Sequence, residues 1–273
     1  MSEWPLTRSF RSSSGDVRWE TFGEPGRDPV VLLHGTPFSS YVWRAVARAL
    51  ARHHQVFVWD MPGYGSSEMS AGQDVSLAAQ STVFTELLAH WGLDEPRVVA
   101  HDFGGAVSLR AHLLHGACYR SLALVDPVAL APWGSPFFRL VGAHSDVFDQ
   151  LPSALHRALV REYVSSASSP GLHPAVLDRL VEPWLGEPGQ AAFYRQIAQA
   201  DQRHTDEVQD RYGEIAIPVL VCWGEDDNWI PVAKGHELVA RIPDARLELI
   251  PGAGHLVQED APAELLAALL DGP

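Results

Sequence analysis

The sequence contains little cysteine and an unbalanced set of charges. Among 273 residues there are two cysteines, Cys118 and Cys222, each next to or inside an apolar run. Neither a disulfide framework nor a cysteine metal site is expected, and both thiols are predicted to be free and buried. Acidic residues outnumber basic ones by 34 to 20, and Lys234 is the single lysine. The net charge of −14 argues against nucleic acid and anionic membranes as partners.

Long apolar segments are also missing. No apolar run reaches the length of a membrane span, and residues 1–4 lack the basic region that opens a secretion signal. We therefore expect a cytoplasmic protein without membrane contacts. The apolar fraction of 46% is that of a folded globular chain, which at this length can bury a large core.

The chain does contain short apolar runs that alternate with helical patterns. Strand-like segments at 6–13 and 16–22 predict an initial hairpin. The later runs that predict buried strands are 29–33, 55–59, 97–100, 121–125, 217–223 and 246–250. Strands that alternate with helices predict a doubly wound, mostly parallel sheet, in which functional groups collect at the carboxyl ends of the strands.

From about residue 131 to residue 212 the alternation stops. Four helical patterns, broken by proline and glycine, occupy residues 137–148, 152–166, 174–185 and 190–211. A helical insertion between two strands cannot lie in the sheet, so we expect it to cover the strand ends as a cap. The predicted organisation is a core formed by 1–130 and 213–273, with a helical cap at 131–212.

The stretch around Asp102 has the pattern of a nucleophile elbow. A predicted strand ends at the small Ala100, a reactive side chain follows two places later, and Gly104 and Gly105 open a helical pattern. Such an elbow holds its central residue in a strained backbone conformation, so its neighbours must be small. The reactive residue here is Asp102 rather than the more usual serine.

Two further functional groups follow predicted strands, so that Asp102, Asp227 and His255 occur in the order nucleophile, acid and histidine. The accompanying motifs are HGTP at 34–37, DMPGYG at 60–65, GEDD at 224–227 and GAGH at 252–255. In these motifs and in the elbow, the chain resembles the α/β-hydrolase superfamily over nearly its whole length outside the cap. The resemblance implies an eight-stranded, mostly parallel sheet flanked by helices, with an inserted helical cap.

Within that superfamily, an aspartate at the elbow resembles the soluble epoxide hydrolases and the haloalkane dehalogenases. A carboxylate attacks a saturated carbon without the help of a base, and the product is an alkyl ester on Asp102. The resemblance implies that His255 then activates a water that attacks the ester carbonyl, while Asp227 orients the imidazole. It also implies that backbone N–H groups of Thr36 and Phe103 form the oxyanion hole.

Two other carboxylates compete with Asp227 for the role of the acid. Asp226 is adjacent, but the spacing from Gly224 and to Pro231 matches the family pattern at Asp227. Asp126 follows the strand that precedes the cap, where some dehalogenases carry their acid, and it is the alternative candidate.

The leaving group distinguishes the two related reactions. An epoxide oxygen needs a proton donor, which epoxide hydrolases provide as cap tyrosines, whereas a halide needs N–H donors such as a tryptophan after the nucleophile. Phe103 has no side-chain N–H, and Thr36 stands where dehalogenases have asparagine. Residues 189–195 resemble the late cap segment that carries an acid tyrosine, which makes Tyr194 the first candidate for this role and Tyr163 the second.

The sequence therefore predicts a hydrolase that opens an epoxide to a diol through an ester on Asp102. The expected substrate is small and apolar or partly apolar, and no metal or organic cofactor is implied. A haloalkane dehalogenase is the alternative reaction. A catalytically silent ligand-binding protein of the same fold, or a biosynthetic enzyme with an unusual ring opening or ester cleavage, is a further alternative.

Overall fold

The computed structural model describes residues 4–272, which are built around an eight-stranded sheet. Residues 1–3 and Pro273, at the ends of the two predicted core segments, lie outside the described residues. The strands are β1 (Arg8–Ser12), β2 (Gly15–Phe22), β3 (Pro29–Leu33), β4 (Gln55–Trp59), β5 (Arg97–His101), β6 (Ser121–Val125), β7 (Val219–Gly224) and β8 (Arg246–Ile250). Their order across the sheet is β1-β2-β4-β3-β5-β6-β7-β8.

The sheet is mostly parallel. The β1–β2 and β2–β4 pairs are antiparallel, as the predicted hairpin requires, and every other neighbouring pair is parallel. The central strands β5, β6 and β7 are apolar and almost entirely buried, because helices cover both faces of a parallel sheet. In the register, Leu33 pairs with Ala100 and His101 with Val125, so β3, β5 and β6 end at one level. The predicted α/β-hydrolase fold is confirmed.

Six α-helices accompany the strands. They are α1 (Arg44–Leu50), α2 (Leu77–Trp91), α3 (Phe103–His115), α10 (Ala233–Val239), α11 (Val257–Asp260) and α12 (Pro262–Asp271). Helix α2 begins after Ser76, whose hydroxyl accepts a hydrogen bond from the Ala79 N–H and caps the helix. Of the two cysteines, Cys222 is buried as predicted, whereas Cys118 is exposed because it lies in the turn that follows α3.

Within the described residues, the chain between β6 and β7 forms six α-helices and no strand. They are α4 (Pro136–Ala143), α5 (Ser145–Phe148), α6 (Ser153–Ser165), α7 (Pro174–Val181), α8 (Gly186–Ala198) and α9 (Arg203–Gln209). The single helix predicted for 190–211 is divided into α8 and α9. The division follows from side chains that bond locally, since the Asp201 carboxylate accepts a hydrogen bond from the Arg203 N–H.

Helix α8 and the turn before it are hydrogen-bonded to loops of the sheet. The Trp184 indole donates to the Pro37 carbonyl at 2.7 Å. The Gln199 amide accepts from the Val75 N–H at 2.7 Å and donates to the Gln73 carbonyl at 3.0 Å. The helical segment therefore lies against the loops after β3 and β4, at the carboxyl ends of the strands. Among residues 4–272, no helix is long and apolar enough to cross a membrane.

Candidate active site

Asp102 lies in the turn between β5 and α3 with a left-handed backbone conformation. Its φ is 49° and its ψ is −115°, and the side chain is 3% exposed. The carbonyl of Asp102 accepts hydrogen bonds from the N–H groups of Gly105 at 2.9 Å and Val128 at 3.0 Å, which hold this strained turn in place. A Cβ atom on Gly35 would lie 2.4 Å from the Asp102 Cβ and Oδ1, so only glycine leaves room for the carboxylate.

His255 lies between two carboxylates and is completely buried. Its Nδ1 is 2.9 Å from the Asp227 Oδ2, and its Nε2 is 3.5 Å from the Asp102 Oδ2. The other oxygen of Asp227 accepts hydrogen bonds from the N–H groups of Trp229 at 2.7 Å and Ile230 at 2.9 Å. The loops after β5, β7 and β8 thus bring together the three residues predicted as nucleophile, acid and histidine.

The charge of His255 is set by these carboxylates. Burial alone lowers the pKa of His255, but the neighbouring charges and hydrogen bonds of Asp227 and Asp102 outweigh burial and raise the pKa well above its usual value. The two carboxylates therefore favour the protonated form of the imidazole. Loss of that charge removes a cause of the raised pKa.

The predicted oxyanion loop lies against Asp102. The Thr36 N–H donates a hydrogen bond of 2.7 Å to the Asp102 Oδ1, which leaves Oδ2 on the side of His255. Phe103 is the first residue of α3, and its ring packs edge-on against Trp133 and Phe138 at 5.7 and 6.2 Å between ring centres. Of the two N–H groups predicted to form the oxyanion hole, that of Thr36 contacts the Asp102 carboxylate.

Asp126 occupies the end of β6, close to the triad but without a hydrogen bond to the imidazole. It has a left-handed φ of 42°, is fully buried, and accepts a hydrogen bond from the Gly224 N–H at 2.9 Å. Burial, together with the charge of Asp227, raises the pKa of Asp126 well above its usual value. Asp226 is exposed and its carboxylate accepts from the Ser169 hydroxyl. The structure thus places Asp227, and neither alternative, on His255 Nδ1.

The two cap tyrosines have different surroundings. Tyr194 is on α8 with its hydroxyl 2.9 Å from the His156 Nδ1, and it does not line the cavity that contains Asp102. Tyr163 lines that cavity, and its ring stacks on Trp229 at 4.5 Å between ring centres. Burial and the charge of Asp102 raise the pKa of Tyr163, so its hydroxyl is a neutral donor near the nucleophile. The structure therefore brings Tyr163, and not Tyr194, to the site.

Two residues near Asp102 were not among the sequence candidates. Tyr64 is fully buried, and the pKa of its hydroxyl is raised by burial and by the charge of Asp102. Gln196 of α8 is 1% exposed and contacts Thr36 and Tyr64. Tyr64 belongs to the DMPGYG motif and could have been selected for that reason. Gln196 has no local sequence signal, because its position depends on how α8 packs.

His34 and His101 form hydrogen bonds with backbone groups of the loops around the site. His34 Nε2 accepts a hydrogen bond from the Met61 N–H, and its Nδ1 is 3.0 Å from the Gly35 carbonyl. His101 Nε2 donates to the His255 carbonyl at 2.9 Å. Burial, and then the charge of His255, lowers the pKa of His101 to about 3, so this ring is neutral.

The cavity beside Asp102 is mainly aromatic and has a volume of about 30 Å³. Its larger lining side chains are Phe103, Trp133, Phe138, Tyr163, Trp229 and Ile230. The Trp133 indole N–H donates to the Thr205 hydroxyl at 2.8 Å, and that of Trp229 to the Ser166 hydroxyl at 3.0 Å. In the described part of the chain, no group of three or more His, Cys, Asp or Glu side chains is arranged to hold a metal ion.

Comparison with known proteins agrees with this architecture. The chain is 49% identical to a solved α/β hydrolase fold protein from Burkholderia ambifaria. The structural match covers 98% of each chain and has a TM-score of 0.95. It is 28% identical to haloalkane dehalogenase 2 of Mycobacterium bovis over 97% of this chain and 94% of that protein. The epoxide hydrolase CorEH shares the fold, with a TM-score of 0.81, 21% identity and 97% coverage of both chains.

A further curated relative is much longer than this chain. Polyketide synthase ThaQ of Burkholderia thailandensis is 31% identical over 92% of this chain, which spans 12% of the length of that synthase. The profile of the alpha/beta hydrolase fold family matches residues 28–262. With its sheet order, its elbow and this match, the chain belongs to the α/β-hydrolase fold family and is a hydrolase of that fold.

Proposed function

We propose that the protein opens an epoxide to a diol through an alkyl ester on Asp102. The observation that carries this proposal is the environment of the Asp102 carboxylate. Its Oδ1 accepts from the Thr36 N–H at 2.7 Å, while its Oδ2 lies beside the aromatic cavity and 3.5 Å from His255. One oxygen is thus positioned in the oxyanion site, and the other is the nucleophile.

The first step forms the ester. Asp102 Oδ2 attacks a ring carbon of the epoxide, the carbon–oxygen bond opens, and the oxygen takes a proton from the Tyr163 hydroxyl. Tyr163 suits this role because its hydroxyl has no hydrogen-bond partner among residues 4–272 and lies in the field of Asp102. The aromatic walls favour a small substrate that is apolar or partly apolar.

The second step hydrolyses the ester. Ester formation neutralises Asp102 and removes one cause of the raised pKa of His255. The imidazole then gives its proton to the Tyr163 phenolate left by the first step, and becomes a base. His255 then activates a water that attacks Cγ of Asp102, and the Thr36 N–H stabilises the oxyanion. The two protons of this water are finally carried by the two diol oxygens, one through His255 and one through Tyr163.

The alternative reaction, release of a halide, has less support from the cavity. A halide needs N–H donors, but the indole N–H groups of Trp133 and Trp229 are both bonded to hydroxyl groups of the protein. Phe103 has no side-chain N–H. The phenol of Tyr163 lines the same cavity as Asp102 and has no hydrogen-bond partner among residues 4–272, which suits an oxygen that must be protonated. The likeness to a haloalkane dehalogenase keeps this reaction as the second candidate.

The helical segment 131–212 is proposed to be the cap that closes this site. An outer cavity shares Ser135, Tyr163 and Trp229 with the inner one and is lined further out by Glu162 and Asn228. We propose that a small substrate enters here, between helices α4 and α6 and the loop after β7.

The product distinguishes the candidate functions. The purified protein is incubated with a panel of small epoxides and haloalkanes, and diol and free halide are measured. We expect diol. Halide release without diol would favour the dehalogenase, and ligand-dependent melting without any product would indicate a silent binding protein.

The covalent step is tested by intact mass. In a His255→Gln variant we expect the epoxide to remain attached to Asp102. Tyr163→Phe should slow ester formation on the order of a hundredfold, because the ring oxygen loses its proton donor. Tyr194→Phe is the matched control, since its hydroxyl is bonded to His156 and should leave the rate unchanged. Substrate turnover without any adduct would exclude the ester mechanism.

A further inference from the structure

Trp229 lies in the loop after β7, where it is the second residue after Asp227. Its indole ring stacks on the imidazole of His255, with the ring centres 4.9 Å apart and the planes inclined by 26°. Its backbone N–H donates to the Asp227 Oδ1 at 2.7 Å, and its indole N–H donates to the Ser166 hydroxyl at 3.0 Å. Trp229 is therefore bonded both to the carboxylate that contacts His255 and to the residue that follows helix α6.

Two further aromatic rings hold the plane of the indole. The ring of Tyr163, from α6, lies 4.5 Å from that of Trp229 between ring centres and is inclined to it by 10°. The ring of Phe38, from the loop after β3, lies 5.9 Å from the indole and is inclined to it by 16°. These near-parallel contacts restrict rotation of the indole, so its ring stays against the imidazole.

The indole contacts a part of His255 that the two carboxylates do not. Asp227 lies 2.9 Å from Nδ1 and Asp102 lies 3.5 Å from Nε2, both at the edge of the imidazole, whereas Trp229 stacks on its face. The face of an aromatic ring carries a negative electrostatic potential, and it attracts a cation that lies within about 6 Å of the ring centre. A protonated imidazole is such a cation, so the stack favours the protonated form of His255.

The titratable groups that influence His255 belong to neighbouring strand ends. They are Asp102, His101, Asp126 and Asp227. Substitution of Trp229 removes none of these side chains, and it retains the backbone N–H that bonds to Asp227. A changed proton affinity of His255 after such a substitution therefore reports the loss of the indole rather than the loss of a charge.

We propose that Trp229 is a positioning residue for His255, which holds the imidazole by its face and stabilises the ring when it is protonated. In the proposed epoxide reaction, on which the kinetic part of this inference rests, His255 takes a proton from the water that attacks the Asp102 ester. Trp229 then stabilises the imidazolium that forms, while it exchanges no proton and forms no covalent bond. The stack itself does not depend on a substrate, because it is made by side chains of the protein alone.

The stack is tested without substrate, by NMR titration of His255 in protein with ¹⁵N-labelled histidine. The resonance of His255 is identified by its absence in His255→Gln. Trp229→Phe retains an aromatic face without an N–H, and Trp229→Leu removes the face. We expect the pKa of His255 to fall from the parent to Trp229→Phe and further to Trp229→Leu, with a proton affinity about tenfold lower in the leucine variant. Equal pKa values in the two variants overturn the proposal.

Trp133→Leu is the matched control, because it removes another tryptophan of the cavity, whose ring packs on Phe103 instead. The pKa of His255 should be unchanged in this variant. A fall as large as that in Trp229→Leu would show that any opening of the cavity lowers the proton affinity, and it would exclude the stack as the cause. If the imidazole of the parent stays protonated over the whole pH range in which the protein is folded, the same variants are compared with Asp102→Asn added, which removes one of the two carboxylates at the ring.

The effect on the reaction is measured with His255 intact. The protein, in excess, is mixed with styrene oxide, and the decay of the Asp102 ester is followed by intact mass. Trp229→Leu should hydrolyse the ester up to about tenfold more slowly than Trp229→Phe, because the imidazolium that forms in this step lacks the aromatic face. Equal rates of hydrolysis in the two variants would exclude a role of Trp229 in the reaction.

A failure of this role is distinguishable from a failure of the proposed function. If the parent forms no ester with styrene oxide or with the other epoxides of the panel, the epoxide reaction is excluded, while the titration of His255 still decides whether Trp229 stabilises the protonated ring. If the parent forms the ester, but Trp229→Phe and Trp229→Leu agree in both the titration and the rate, the role of Trp229 alone is excluded.

Discussion

His255 lies between two carboxylates, and its proton affinity depends on whether Asp102 carries a charge. Asp227 is bonded to Nδ1 throughout the proposed reaction, so it holds the ring in place. Asp102 is charged before the ester forms and neutral afterwards. In the proposed mechanism, the charge of Asp102 therefore controls when the histidine becomes a base.

Replacement of Asp102 by Asn should imitate the neutral state. We expect Asp102→Asn to lower the pKa of His255 relative to the parent, because the charge and hydrogen bond of Asp102 both raise it. Titration of the imidazole by NMR with ¹⁵N-labelled histidine measures this shift. Resonances of the exposed His53 provide the internal control. An unchanged pKa of His255 would contradict the coupling between nucleophile and base.

At the level of elements, the turn from β5 to α3 depends on a glycine from a different strand. Asp102 has the backbone strain expected of an elbow, but its carboxylate has room only because Gly35, after β3, has no side chain. On the other side of the turn, a Cβ atom on Gly105 would lie 2.5 Å from the Pro127 Cβ. The elbow is therefore stabilised jointly by the loops that follow β3 and β6.

Gly35→Ala should disturb this arrangement. The added methyl group would lie 2.4 Å from the Asp102 Oδ1, so the carboxylate must move away from the Thr36 N–H. We expect lost activity and a destabilisation of about 1–3 kcal/mol, measured by urea unfolding. Gly213→Ala is the control, since its Cβ would meet nothing within 4 Å. Parent-like ester formation in Gly35→Ala would show that the close fit is not required.

At the scale of the whole molecule, three buried aspartates lie together at one edge of the sheet. Asp102, Asp126 and Asp227 follow β5, β6 and β7, which are neighbours in the sheet, and all three are buried. Burial of several carboxylates at one place is unfavourable unless some are neutral or paired. The raised pKa of Asp126 is the consequence, and it links the stability of the fold to pH.

The sign of this linkage follows from the direction of the shift. An unfolded aspartate has a pKa of about 3.9, and folded Asp126 has a higher one, so the folded state binds more protons between the two values. The contribution of Asp126 to stability is present at low pH and is lost as the pH rises through this range. Asp126→Asn keeps the acceptor for Gly224 and removes the titration.

We therefore expect Asp126→Asn to lose less stability than the parent between pH 4 and pH 8, as measured by thermal unfolding. Asp226→Asn, at an exposed position, should leave the pH dependence of thermal stability unchanged. Asp126→Asn should also keep its activity, whereas Asp227→Asn should lose activity on the order of 10⁴-fold. The reverse pattern of activities would make Asp126 the acid that acts on His255.

Much of the fold could be predicted from the sequence, because the signals that specify it are local. Apolar runs predict buried strands, and the strands at 29–33, 55–59, 121–125 and 246–250 have the predicted bounds. The positions of Asp102, Asp227 and His255 could be predicted for a related reason. Each of them follows a strand, and the carboxyl ends of parallel strands lie at the same edge of the sheet. Residues that follow these strands are therefore brought to that edge.

The cap side of the site could not be predicted in this way. Tyr194 and Gln196 are two residues apart on α8, which places them roughly 200° apart around the helix. Only the packing of α8 decides which of them contacts Thr36, and the structure selects Gln196 while Tyr194 bonds to His156. The sequence by itself determined the positions of Asp102, Asp227 and His255 and the sheet that brings them together. Which residues of α8 contact the loop after β3 was decided by tertiary packing, because a helix presents different side chains on each face.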